Sequence, residues 1–208
     1  MIYEFRTYTL FPRQLNEFMN RFGEALPKRL EFSPLAAFWY TEIGPLNQVI
    51  HVWPYEDAGE RARIRAEAVA SGCWPPKAGE LIVDMQSEIL EPMPFAPALQ
   101  PGKLGPYYEM RTYDLRPGGA AGMSTRWAEY IEGRLALSPL AGVFHSDLGR
   151  LNQWIHIWAY ESLDQRTAVR KEAASKGIWP PPAAAGDENP IVAQETKILL
   201  PAPFSPMQ

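Results

Sequence analysis

Two of the three histidines, His51 and His156, occupy matching surroundings: LNQVIHVWPYE runs from Leu46 to Glu56, and LNQWIHIWAYE from Leu151 to Glu161. A neutral imidazole, with an ordinary pKa of about 6.5, can take a proton from a substrate or orient a carbonyl, so these two are the candidate general bases. Arg6 in YEFRTYTL and Arg111 in YEMRTYDL can grip a carboxylate or enolate with a bidentate fork. Tyr8, Tyr113, Asn47, Asn152, Trp53 and Trp158 recur at the same spacing and complete a candidate ligand-binding set. Each also has a purely structural reading. The histidines can be core groups satisfied by Glu4 or a carbonyl, and the arginines can pair with Glu4 and Glu109. The asparagines can satisfy turn backbone, and the aromatic rings can be core. No metal is expected, because each copy offers one such histidine with no cysteine near it and no HxH or HExxH spacing. Gly118-Gly119 lacks the GxGxxG pattern, so no dinucleotide or other cofactor is expected either.

The elements that must position these residues are themselves duplicated. Gly44–Glu56 returns at Gly149–Glu161, an offset of 105 residues, and GCWPP at Gly72 returns as GIWPP at Gly177. ILEPMPFAP at Ile89 returns as ILLPAPFSP at Ile198, an offset of 109, so copy two carries an insertion between Pro181 and Pro190. Alternation over 2–10 predicts a first strand. Leu15, Phe18, Met19 and Phe22 predict a helix, which Pro27 should kink or end. Strands follow at 36–43 and 47–55, joined by a loop short enough to require antiparallel pairing. Asp57 with Glu60, and Ser162 with Gln165, spell capping boxes that start a second helix, and Gly72 and Gly177 stand where a left-handed terminator belongs. Last strands are predicted at 82–90 and 191–199. The Pro- and Gly-rich stretch from Leu90 to Pro106 separates the copies, giving units at 1–98 and 107–208 with a linker at 99–106.

Each unit therefore has the order βαββαβ, an α+β ferredoxin-like unit whose two helices cover one face of a four-stranded sheet. The uncovered faces must be buried, and the economical solution is two units packed sheet to sheet as an α+β barrel. On strand three, Ile50 and Val52 share one face, while Val49, His51, Trp53 and Tyr55 share the other. The aliphatic face is expected to meet the helices. The aromatic face, joined by Glu4, Arg6 and Tyr8, is expected to line the barrel interior.

The net charge of −4, without a cluster of basic residues, argues against nucleic acid. No apolar stretch is long enough for a membrane span, and the start of the chain lacks a secretory pattern, so a cytoplasmic setting is expected. The single Cys73 cannot form an internal disulfide and is expected to be a small buried hydrophobe.

The doubled LNxxxHxWxYE pattern, the opening YEFRTYT and the closing PFAP or PFSP resemble the NIPSNAP family, over nearly the whole chain. That family belongs to the dimeric α+β barrel superfamily, so the resemblance implies a barrel of two ferredoxin-like units, here in tandem. The wider superfamily includes cofactor-independent monooxygenases, small isomerases and haem proteins. NIPSNAP members have no settled chemistry, and animal members are linked to vesicle traffic and mitochondrial quality control. The expectation is a protein binding a small organic molecule in the barrel interior, with cofactor-independent oxygenation or isomerisation as candidate chemistry. The alternative is a non-catalytic interaction module with a filled barrel. Exposed sheet edges leave room for a homo-oligomer.

Overall fold

Local signals set most element boundaries. The computed structural model describes residues 1–182 and 189–208. The first unit comprises β1 (Ile2–Leu10), α1 (Leu15–Arg29), β2 (Ala37–Ile43), β3 (Gln48–Tyr55), α2 (Ala58–Ala70) and β4 (Ile82–Pro92). The second comprises β5 (Tyr107–Leu115), α3 (Gly119–Leu135), β6 (Leu140–Leu148), β7 (Gln153–Tyr160), α4 (Leu163–Ser175) and β8 (Ile191–Pro201). Asp57 accepts the Glu60 backbone N–H at 2.8 Å, and Ser162 accepts that of Gln165 at 3.0 Å. The return bond of each box goes to the residue before the cap, Glu56 or Glu161, at 2.6 Å. Both helices stop at a left-handed glycine, Gly72 (φ 73°) or Gly177 (φ 64°). Pro27 does not end α1, which runs on to Arg29. Arg29 is itself fixed by hydrogen bonds to Ser33 and Tyr55, and these tertiary bonds hold the last turn despite the missing N–H.

The eight strands form a closed barrel in the order β1-β3-β2-β8-β5-β7-β6-β4. Each unit contributes the ferredoxin-like order β4-β1-β3-β2, or its counterpart β8-β5-β7-β6. The seams are the antiparallel pairs β2–β8, from Trp39↔Pro201 to Ile43↔Ile198, and β4–β6, from Ile89↔Leu148 to Pro92↔Phe144. The closing segments then cross over. Phe204 stacks on Phe22 of the first unit at 5.7 Å, and Phe95 stacks on Trp154 of the second at 6.3 Å. Each unit's PFxP end thus packs on the other unit's helical side, so the halves are tied together reciprocally.

The barrel packs sheet to sheet as expected, but the two faces are reversed. Tyr3, Phe5, Trp39, Ile50, Val52, Tyr108, Met110, Phe144, Ile155 and Ile157 form one buried cluster inside the barrel. Phe144 meets Tyr3 and Phe5 edge-on across the units, with ring centroids 5.2 Å apart in both pairs. Leu99 of the linker and Met207 join that cluster, so the linker packs into the barrel as well as spanning between units. An eight-stranded barrel is just wide enough for its own side chains, and this one is filled by them. Tyr8, Val49, Trp53 and Tyr55 pack instead with Phe18, Phe22 and Leu26 of α1. The physical reason is hydrogen-bond supply. Buried Glu4 and half-buried Arg6 need polar partners, and helix side chains can reach the outer face of a barrel but not its inside.

Candidate functional site

Two equivalent layers lie between barrel and helices, each built around one buried carboxylate. Glu4 is fully buried and accepts from Arg6 Nη1 at 2.7 Å, Arg61 Nη2 at 2.6 Å and Ser87 Oγ at 2.8 Å, with Arg65 Nη1 at 3.6 Å from its other oxygen. Glu109 repeats this with Arg111 at 3.3 Å, Arg166 at 2.5 Å and Thr196 at 3.1 Å, and Arg170 at 3.7 Å. Burial alone would raise the Glu4 pKa, but Arg61, Arg65, Ser87 and Arg6 together bring it down to about 2. For Glu109 burial likewise opposes ionisation and is overcome, chiefly by Arg166 and then by Arg170 and Arg111.

A second buried guanidinium completes each layer. Arg29 lies 4.2 Å over the Trp53 ring and donates to Ser33 Oγ and Tyr55 OH. Arg134 lies 3.9 Å over Trp158 and donates to Ser138 Oγ at 2.8 Å and Tyr160 OH at 3.0 Å. Burial lowers the pKa of both, partly offset by these tyrosines.

The histidines sit at the centre of the layers, each 1% exposed. The Trp53 indole N–H donates to His51 Nδ1 at 2.7 Å, and that of Trp158 to His156 Nδ1 at 2.8 Å. An indole nitrogen can only donate, so Nδ1 must be the lone-pair nitrogen and the proton sits on Nε2. Neither Nε2 has a hydrogen-bond partner among the described residues. Burial, and then the nearby arginines, hold both imidazoles well below their ordinary pKa, hence neutral. This corrects the candidate base role. The lone pair that would take a proton already accepts from tryptophan, and what each ring offers is an N–H donor.

The remaining expected site residues divide clearly. Arg6 and Arg111 donate through Nε to Tyr8 OH at 2.7 Å and to Tyr113 OH at 3.1 Å, so the forks are occupied by residues of their own strands. Asn47 (φ 59°) and Asn152 (φ 58°) lie in the hairpin corners outside the layers. Asparagine tolerates the left-handed region there, which makes them turn residues rather than ligand contacts. Arg61 and Arg65 on α2, and Arg166 and Arg170 on α4, turn inward to the carboxylates, although their places on largely polar helices suggest a solvated face. Their i, i+4 spacing on α2 and α4, repeated in both copies beside a buried glutamate, is the signal that could have found them. Cys73 is half-buried just beyond α2, bonded with Ser71, and not part of the core.

Cavities open beside both layers. In the first half, one of about 190 Å³ is walled by Tyr8, Phe18, Phe22, Trp74 and Met85. In the second half, one of about 260 Å³ is walled by Tyr113, Met123, Trp127, Trp179 and Gln194. A smaller one of about 100 Å³ adjoins it, lined by Arg134, His156, Trp158, Arg170 and Trp179. Among the described residues no three of His, Cys, Asp and Glu gather as metal ligands, and no helix is long and apolar enough to cross a membrane.

Fold and site together define a class: a fused pair of ferredoxin-like units closed into one barrel, with a buried arginine–glutamate–histidine layer under each helix pair. The NIPSNAP family model matches residues 3–97 and again 108–206, so the chain belongs to the NIPSNAP family as a tandem of two such domains. Human Protein NipSnap homolog 3A is 33% identical over 217 residues, covering 100% of this chain and 86% of the relative. A NIPSNAP-like domain protein from Burkholderia xenovorans, solved by crystallography, is 40% identical over 48% of this chain and 91% of its own, with a TM-score of 0.43. An anthrone oxidase-like protein shares the fold at 9% identity, with a TM-score of 0.60 over 99% of this chain and 93% of its own.

Proposed function

We propose that the chain binds a small organic molecule between its sheet and its helices, not inside the barrel. The ligand has an apolar body and one hydrogen-bond acceptor. The observation that carries this is the His156 Nε2–H, a buried donor that has no partner among the described residues and lines a cavity. Leaving such a group unsatisfied costs about 1–3 kcal/mol, which an acceptor on a ligand would recover. Aromatic walls with a few convergent polar groups are the ordinary make-up of a small-molecule site. A carbonyl oxygen held by an imidazole N–H and a guanidinium would become easier to enolise. With His156 as donor rather than base, the substrate proton would have to pass to water; its return to another carbon gives isomerisation, and attack of dioxygen on the enolate gives cofactor-independent oxygenation.

Native mass spectrometry of freshly purified protein, followed by thermal-shift screening of aryl ketones, amides and acids, tests the reading. Binding that is lost in His156→Phe, with the fold intact by circular dichroism, is the expected result. No retained compound and no shift from any of the panel would reject it. The filled barrel favours the alternative of an interaction module without catalysis, and that alternative predicts the negative result. A homo-oligomer, for which exposed sheet edges leave room, would use the first halves of β4 and β8, where Val83 and Val192 are exposed.

A further inference from the structure

The charges of the second layer do not balance. Arg111, Arg134, Arg166 and Arg170 surround Glu109, and among the described residues no second carboxylate bonds to any of them there. Arg134 is the sharpest case: it is 2% exposed, and its hydrogen bonds end on two hydroxyls, those of Ser138 and Tyr160. A buried guanidinium without a carboxylate is costly, and a charge of opposite sign delivered by a ligand would offset that cost. The cavity of about 100 Å³ lies where that charge would have to sit, lined by Arg134, Arg170 and the unpartnered His156 ring. That volume has room for a carboxylate. The larger neighbouring cavity shares Trp179 and Pro180 with it and is walled by Met123, Trp127 and Ile191.

We infer that the second half is an organic-anion site. A carboxylate is held between His156 Nε2–H and the Arg134 and Arg170 guanidiniums, with the apolar body of the ligand against Trp179 in the adjoining cavity. This rests on the small-molecule reading above and adds to it the charge of the ligand and the half that binds it. The first half differs where it matters. Phe38 stacks on His51 at 5.9 Å where the second half has Val143, and Val69 stands where the smaller Ala174 lines the anion cavity. The first-half cavity beside Tyr8 and Trp74 is walled by apolar and aromatic groups and is not lined by His51.

The test is calorimetric titration of the full chain with benzoate and with its neutral isostere benzamide, on the natural protein, Arg170→Gln and the first-half counterpart Arg65→Gln. Arg170 is partly exposed and touches Glu109 only at 3.7 Å, so its replacement leaves the fold standing. One benzoate should bind per chain, at least about tenfold tighter than benzamide, the minimum for a hydrogen bond to a charged group. Arg170→Gln should remove most of that preference while leaving benzamide unchanged, and Arg65→Gln should leave both unchanged. Benzamide binding as well as benzoate would overturn the anion assignment while leaving the small-molecule reading intact. Equal losses in Arg65→Gln and Arg170→Gln would overturn the assignment to the second half. Absence of binding by either compound, with no change in the His156 imidazole signals, would overturn both the inference and the reading beneath it.

Discussion

Replacing Glu4 by glutamine probes the ion layer directly, because glutamine keeps the shape of the protonated acid and discards the charge. In the folded chain the Glu4 pKa is about 2, against an ordinary value of 4.5. A folded-state pKa below the ordinary one means that ionised Glu4 stabilises the fold above pH 4.5, and that this stabilisation disappears as pH falls towards 2. The difference corresponds to about 3 kcal/mol at neutral pH, at about 1.36 kcal/mol per pH unit. Breaking a buried ion pair from one side costs about 3–5 kcal/mol by general experience, so the two routes agree. Urea unfolding of the natural chain and Glu4→Gln should therefore differ by about 3 kcal/mol at pH 6 and by about 1 kcal/mol at pH 3. A gap that stays the same at both pH values would refute the reasoning. It would mean that the carboxylate is not gripped by Arg6, Arg61 and Arg65, and the cationic layer would no longer need explaining. Glu109→Gln should lose stability with the same sign of pH dependence, since its pKa is also lowered.

Nitrogen-detected NMR should show His51 and His156 as neutral Nε2–H tautomers from pH 8 down to pH 5, and a titration midpoint of either ring inside that interval would contradict the burial and the tryptophan bonds. Phe144→Ala, which empties the centre of the barrel, should cost about 3–5 kcal/mol in urea unfolding without altering ligand binding. A loss below about 1 kcal/mol would show that the interior is loosely packed. Asn47→Ala should cost about 1–2 kcal/mol because of its positive φ, while Asn47→Gly should change little, and neither should affect binding. An effect of Asn47→Ala on ligand affinity with stability unchanged would restore the residue to the site.

Much of the fold was legible because the chain states it twice. Two independent spellings of the same capping box, Asp57 with Glu60 and Ser162 with Gln165, fixed where α2 and α4 begin. The matched alternation of β3 and β7 separated two faces correctly. Alternation cannot say which face goes inward, and there hydrophobicity misled: the aliphatic Ile50 and Val52 look suited to helices, yet they fill the barrel. The deciding fact is that Glu4 needs Arg61 and Arg65, whose helix lies outside. Charge pairing across 57 residues of sequence is invisible to a local pattern. The role of the histidines was hidden for a related reason. The HxW spacing places ring and indole on one strand face, but only the folded structure shows the indole N–H at Nδ1, which turns a would-be base into a donor.

The positions that match and the positions that differ divide along a physical line. Glu4 and Glu109, the arginines around them, and the His–Trp pairs are the same in both halves. Glu4 with Arg61, Glu109 with Arg166, and the His–Trp pairs are tied by directional bonds, so a change to one of these strands a buried partner. The cavity walls carry no such obligation: Phe18 faces Met123, Phe22 faces Trp127, and Met85 faces Gln194 at equivalent places. Van der Waals walls can be exchanged at moderate cost, and a fused chain can alter one pair of walls without altering the other. The shared layer therefore serves as scaffold in both halves, and it cannot by itself set what is bound. Selectivity must come from the walls, and in the second half these leave an imidazole N–H and a guanidinium bordering open space.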